Sequence, residues 1–158
     1  MNTDQHGFRH AELSKRVIGI FYQVYNELGQ GFLESVYEAA MELALRQAGL
    51  AVQRQPAIEV RFRGETIGDF RADLVVEGVL LVELKAAKAI DPAHEAQVLN
   101  YLRASDLEVG LLLNFGPKPE VKRFLYDNHR KHARGAIPSA AVLPPPMQIA
   151  GDSGALPV

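Results

Sequence analysis

Leu13, Val17, Ile20, Phe21, Val24 and Leu28 recur three and four residues apart, the spacing of one helix face, and Gly29 is a good stop. A second stripe, Leu33, Val36, Tyr37, Ala40, Met41 and Ala44, predicts a helix from near Glu34 to about Ala48. Beyond Gly49 the period changes. Ile58, Val60 and Phe62 alternate with Glu59, Arg61 and Arg63 as a strand, which is expected to turn at Gly64-Glu65 before Ile67. Phe70, Ala72, Leu74 and Val76 then alternate with Arg71, Asp73 and Val75, and Leu80, Val82 and Leu84 with Leu81, Glu83 and Lys85. Asp91 and Pro92 suit the N-cap and first position of a further helix. Glu108 to Phe115 is almost continuously apolar, as in a strand covered on both faces. A short helix carrying Val121, Phe124 and Leu125 is expected after Pro119. Residues 1–11 read as a flexible N-terminus and 12–134 as a single domain. Residues 135–158, rich in Pro, Ala and Gly, read as a tail that is disordered or docks on a neighbour.

The alternation at 70–85 has a chemical consequence. Successive side chains of a strand face opposite ways, and burying both apolar rows on one face sets the register. Asp73 then lies opposite Glu83, and Arg71 opposite Lys85. This register needs an odd connection, most simply a three-residue turn Glu77-Gly78-Val79 with positive φ at Gly78. Facing carboxylates repel unless a cation lies between them. A hard divalent ion such as Mg²⁺ or Mn²⁺, which prefers oxygen ligands, would answer that need. Lys85 could then orient or deprotonate an attacking water. The plainer alternative is a surface ladder in which Lys85 or Arg71 neutralises the acids.

Asp73, Glu83 and Lys85 on consecutive strands form D-x(n)-E-x-K, which resembles the signature of the PD-(D/E)xK nuclease superfamily. Gly31-Phe32-Leu33-Glu34-Ser35-Val36-Tyr37 reads as Gly-x-x-Glu-x-x-Tyr and resembles the element of the bacterial GxxExxY branch. The resemblance runs from about Val17 to about Phe115. It departs from the superfamily before the aspartate, where Ala72 replaces a loosely kept proline. It implies an α/β, restriction-endonuclease-like αβββαβ core, a mixed sheet flanked by helices, with an extra N-terminal helix. It also implies a Mg²⁺ or Mn²⁺ site from Glu34, Asp73, Glu83 and the Leu84 carbonyl. Catalytic roles fall to Lys85, Glu83, Asp73 and Gln97. Gln97 and Tyr101 resemble the Gln-x-x-x-Tyr element of the exonuclease-like branch, with His94 on the same helix face. Tyr37, His94 and Tyr101 are expected in support. Taken alone, Glu34 is an ordinary first-turn glutamate favoured by the helix dipole, and His94 a cap or packing residue.

Composition narrows the classes. The chain has 158 residues, within one domain's range, and its 47% apolar content suffices for a core. It has no cysteine, which excludes disulfide and thiolate chemistry and suits a cytoplasmic location. No apolar run is long enough to span a membrane, and Met1 to His10 lacks a signal-peptide pattern. A net charge of −2 argues against indiscriminate coating of nucleic acid. Yet Lys118, Lys122, Arg123, Arg130 and Lys131 crowd one stretch and are candidate phosphate contacts, unless they line a solvated helix face. The reading is a metal-dependent nuclease-like protein acting on DNA, in preference to RNA. The alternative is a weakly active or inactive nuclease fold used for self-assembly or nucleic-acid binding; a homo-oligomer could supply the substrate selection that so small a core lacks.

Overall fold

The computed structural model describes residues 10–133. Nearly all of the expected N-terminal segment and all of the Pro/Ala/Gly-rich tail lie outside the described residues. The elements are α1 (Ala11–Leu28), α2 (Glu34–Gln47), β1 (Val52–Arg54), β2 (Ala57–Phe62) and β3 (Glu65–Arg71), then β4 (Leu74–Val76) and β5 (Leu80–Lys85). They continue with α3 (Pro92–Ala104), β6 (Val109–Phe115), β7 (Pro119–Leu125) and α4 (Asn128–Ala133).

Five strands form one mixed sheet in the order β1-β4-β5-β6-β7, and β2-β3 pair separately as a ribbon. Only β5 and β6 run parallel, joined by a crossover through α3. Glu83, Lys85 and Asn114 apart, both strands are apolar on both faces because helices cover both sides. On one side α1 and α2 bury Val17, Phe21, Tyr37, Met41 and Leu45 against Leu74, Val82, Leu84, Leu111 and Phe115. On the other, Val98 and Leu102 of α3 pack on Val75, Leu81 and Leu112. Gly110 lets α3 approach, since a Cβ there would lie 2.9 Å from Val98 Cγ1.

The expected αβββαβ order is present as α2, β1, β4, β5, α3 and β6, after an additional helix α1. Its members differ from expectation in detail. The first core strand is the short β1, and the expected strand Ile58–Phe62 belongs to the ribbon inserted between β1 and β4. The ribbon turns at Arg63-Gly64, both at positive φ, one residue earlier than expected. The run 70–76 is broken at Ala72-Asp73, so Phe70 and Ala72 join the core under α3 while Leu74 and Val76 face α1 and α2. Past the break the register is as expected, Leu74 with Val82 and Val76 with Leu80. Glu77-Gly78-Val79 makes the three-residue turn, with φ of 54° at Glu77 and 67° at Gly78.

The helix expected after Pro119 is instead strand β7, paired antiparallel to β6 along its whole length. Its apolar spacing suits a helix, but β6 would otherwise expose an unpaired edge, and backbone pairing prevails over local pattern. On α2 the buried face is Tyr37, Glu38, Met41 and Leu45, whereas Leu33 and Val36 are 75% and 39% exposed.

Candidate active site

The break at Ala72-Asp73 brings the acids together. Gln55 N–H donates to the Asp73 carbonyl at 2.9 Å, and Ala72 N–H to the Pro56 carbonyl at 3.3 Å, steering the chain out of the ribbon and into β4. Asp73 then lies across from Glu83, one step beyond the Leu74–Val82 pair. Each carboxylate is held by the other strand's backbone. Asp73 N–H donates to Glu83 Oε1 at 3.1 Å, and Leu84 N–H donates to Asp73 Oδ2 at 2.7 Å. Arg71 does not reach Lys85's side of the hairpin. It pairs with Ala57 in the ribbon and donates to the Gln55 carbonyl. The expectation of Arg71 opposite Lys85 is therefore corrected, because β3 leaves the sheet before the pairing can extend.

Glu83 is 3% exposed. Burial, then the Asp73 charge, pushes its carboxyl up to about 9. Burial also lifts Asp73 to about 6, with the charges of Glu38 and Glu34 adding to the rise. Burial and mutual repulsion both favour the protonated forms, so the two carboxyls titrate as a coupled pair with raised proton affinity. Lys85, half-buried two residues on, favours the ionised Glu83 by its charge. A buried acid pair with raised affinity for positive charge is a donor set suited to a hard divalent cation.

Glu34 is exposed in the first turn of α2 and touches the pair only through its field. Glu38, one turn further, raises Asp73 more strongly. It is 7% exposed and accepts from Arg54 Nε at 2.8 Å and from Gln55 Nε2 at 2.8 and 2.9 Å. Gln55 does this from a left-handed backbone at φ 54°, an uncommon and strained state for a non-glycine residue. Among the described residues no three acidic or histidine side chains converge as metal ligands, so Glu34, Asp73 and Glu83 are not gathered at one point.

On α3, Gln97 Nε2 donates to Tyr101 Oη at 2.6 Å. Burial first, then the Glu83 and Asp73 charges, raise the Tyr101 hydroxyl's proton affinity. His94 forms a capping box, donating its N–H to Asp91 Oδ1 at 3.0 Å and accepting from Asp91 N–H at Nδ1. Tyr37 is fully buried; its hydroxyl donates to the Gly29 carbonyl and accepts from Phe32 N–H. It therefore braces the joint leading to Glu34 rather than facing the acids. Asn114, absent from the sequence reading, is fully buried and bonds both N–H and carbonyl of Ala87, fixing the chain just after Lys85.

The basic stretch does not form one surface. Lys118 is exposed in the turn before β7. Lys122 pairs with Glu95 of α3, while Arg123 donates to Ser14 Oγ of α1 on the opposite side of the sheet. Lys131 is 2% exposed, and its ammonium donates to the Ser105 and Leu107 carbonyls and to Asn128 Oδ1. A buried ammonium cannot meet a phosphate, so Lys131 is withdrawn from the expected contacts. The backbone of Arg130 lies in α4; its side chain is outside the described part of the molecule.

A mixed sheet between helices, with facing Asp and Glu at a strand break and a lysine two residues on, defines a restriction-endonuclease-like protein. The family model of the PD-(D/E)XK nuclease superfamily matches residues 11–124, and the chain belongs to that superfamily. The superfamily generally uses divalent metals and acts on nucleic acid. No curated protein matches the sequence. Among solved structures, the crystal structure of SSO0001 is similar at TM-score 0.50 and 18% identity, over 77% of this chain. The match spans 63% of that structure's chain and speaks to the fold alone. No helix among the described residues is long and apolar enough to cross a membrane.

Proposed function

We propose that the protein is a metal-dependent phosphodiesterase that hydrolyses DNA, with RNA the lesser substrate. The observation that carries this reading is the buried Asp73–Glu83 pair, whose proton affinity is raised by burial and mutual repulsion beside Lys85. Asp73, Glu83 and the Leu84 carbonyl would hold Mg²⁺ or Mn²⁺, with Glu34 contributing its charge from α2 and no ligand atom. The ion would supply charge neutralisation and an acidified water. Lys85, as an ammonium, would orient that water and offset charge developing on the phosphate, and Gln97, steadied by Tyr101, would position it. Lys118, Lys122 and Arg123 are offered as separate phosphate contacts, with Lys122 and Arg123 on opposite sides of the sheet, and Arg130 is offered from the sequence alone. A cytoplasmic location accords with the lack of cysteine. The test is cleavage of labelled single- and double-stranded DNA and RNA with Mg²⁺ or Mn²⁺, beside Lys85→Ala. Equal cleavage by the variant would assign the activity to a contaminant.

A second reading, self-assembly, is favoured by one feature. Phe32 and Leu33 just before α2, and Val36 and Leu43 on it, are exposed, Leu43 to 58%. Two antiparallel copies of α2 centred on Ala40 would set Glu34 of one opposite Arg46 of the other. Light scattering that finds only monomer at tens of micromolar would dismiss it.

A further inference from the structure

Between the ribbon and α3 lies an open cavity of about 360 Å³, lined by Val60, Phe70, Asn100, Tyr101, Arg103 and Ala104. Its wall is an aromatic pair. The Phe70 and Tyr101 rings are stacked with centroids 3.8 Å apart and planes 8° from parallel. Both rings are only half-buried, so the stack is not sealed inside the core. The acids do not line the cavity, but two of its residues link it to them, Tyr101 also through its hydrogen bond from Gln97. Phe70 precedes Asp73 by three residues across the strand break, and the Tyr101 hydroxyl feels the charges of Glu83 and Asp73. At its rim stand the exposed Asn100 amide, both donor and acceptor, and the Arg103 guanidinium. Arg103 makes no ion pair or hydrogen bond among the described residues.

We infer that this cavity receives one unstacked base of a single-stranded nucleic acid, next to the phosphate that is cut. Since the two rings cover each other's inner faces, it is an outer face of the stack that would take the base, and such stacking holds unpaired strands without strict sequence preference. Asn100 meets the edge of the base, and Arg103 neutralises the adjoining phosphate. A base within a duplex would first have to leave its stack, so the subsite selects single strands, ends or flaps. The inference rests on the phosphodiesterase reading and adds the substrate class to it.

The test uses the full chain with Ca²⁺ and short single-stranded DNA and RNA oligonucleotides. One set carries 2-aminopurine and another a single abasic position moved along the strand. Binding should quench the fluorescence at one position, and an abasic site there should weaken affinity about tenfold. Phe70→Leu should cost a similar factor, and the abasic site should cost that variant nothing more. If Phe70→Leu fails to fold, the base-against-abasic comparison in the unaltered chain, with Arg103→Ala, decides the matter. Strands that bind and are cut, yet with equal affinity for base and abasic site at every position, would overturn the subsite and spare the nuclease. Failure to bind any single strand, while duplex DNA is still cut with Mg²⁺ or Mn²⁺, would overturn the subsite alone; failure to bind or cut single strands and duplex alike would overturn the nuclease reading and the subsite with it. The DNA and RNA arms separate the two sources of the base.

Discussion

Replacing Glu83 with Gln should make the protein less sensitive to alkaline conditions when metal is chelated. In the folded chain the Glu83 carboxyl keeps its proton to about 9, against an ordinary value of 4.5. The unfolded chain releases that proton near 4.5. Folding therefore takes up a proton between these limits, and stability falls as pH rises through that window. Each pH unit is worth about 1.4 kcal/mol for one such group. Between pH 5.5 and 7.5 the ceiling is thus about 3 kcal/mol, lowered where water enters to solvate the ionised pair, so about 1–3 kcal/mol is expected. Glu83→Gln keeps the shape and can still accept from Asp73 N–H, but has no proton to lose. Urea denaturation followed by circular dichroism, in EDTA at pH 5.5, 6.5 and 7.5, measures the difference. The stability gap between Glu83→Gln and the unaltered protein should open steadily in favour of the variant. Added Mn²⁺ should close it by stabilising the unaltered protein. Parallel pH profiles, or an unaltered protein that gains on the variant as pH rises, would refute the buried-pair argument.

Other substitutions probe separate links. Lys85→Ala should fold normally and lower the cleavage rate by about 10²–10⁴-fold, measured in single turnover. Gly110→Ala should cost about 1–3 kcal/mol in urea denaturation by overpacking α3. The added methyl would sit 2.9 Å from Val98 Cγ1, and Val98→Ala in the same chain should recover much of the loss. Lys131→Ala leaves two buried carbonyls without their donor and should cost about 2–4 kcal/mol, with no direct loss of nucleic-acid affinity. Tyr37→Phe removes the bonds to Gly29 and Phe32 while keeping the ring stacked on Phe115, and should cost about 1 kcal/mol.

Local pattern in the sequence determined α1, α2, α3 and β6, the odd turn at Glu77-Gly78-Val79, and the opposition of Asp73 and Glu83. Those features follow from periodicity, capping residues and strand parity, which act over a few residues and leave a direct trace in the order of side chains. The tertiary structure alone decided which strands share the sheet. It sent β2-β3 out as a ribbon, broke the run at Ala72-Asp73, and converted the stretch after Pro119 from expected helix to β7. It likewise buried Lys131, which looked like surface charge, and gave Glu38 rather than Glu34 the stronger hold on Asp73. The cause is the same in each case. Pairing of a sheet edge, and the charge of Arg54 and the amide hydrogen bonds of Gln55 on Glu38, involve segments separated along the chain, so no local pattern records them.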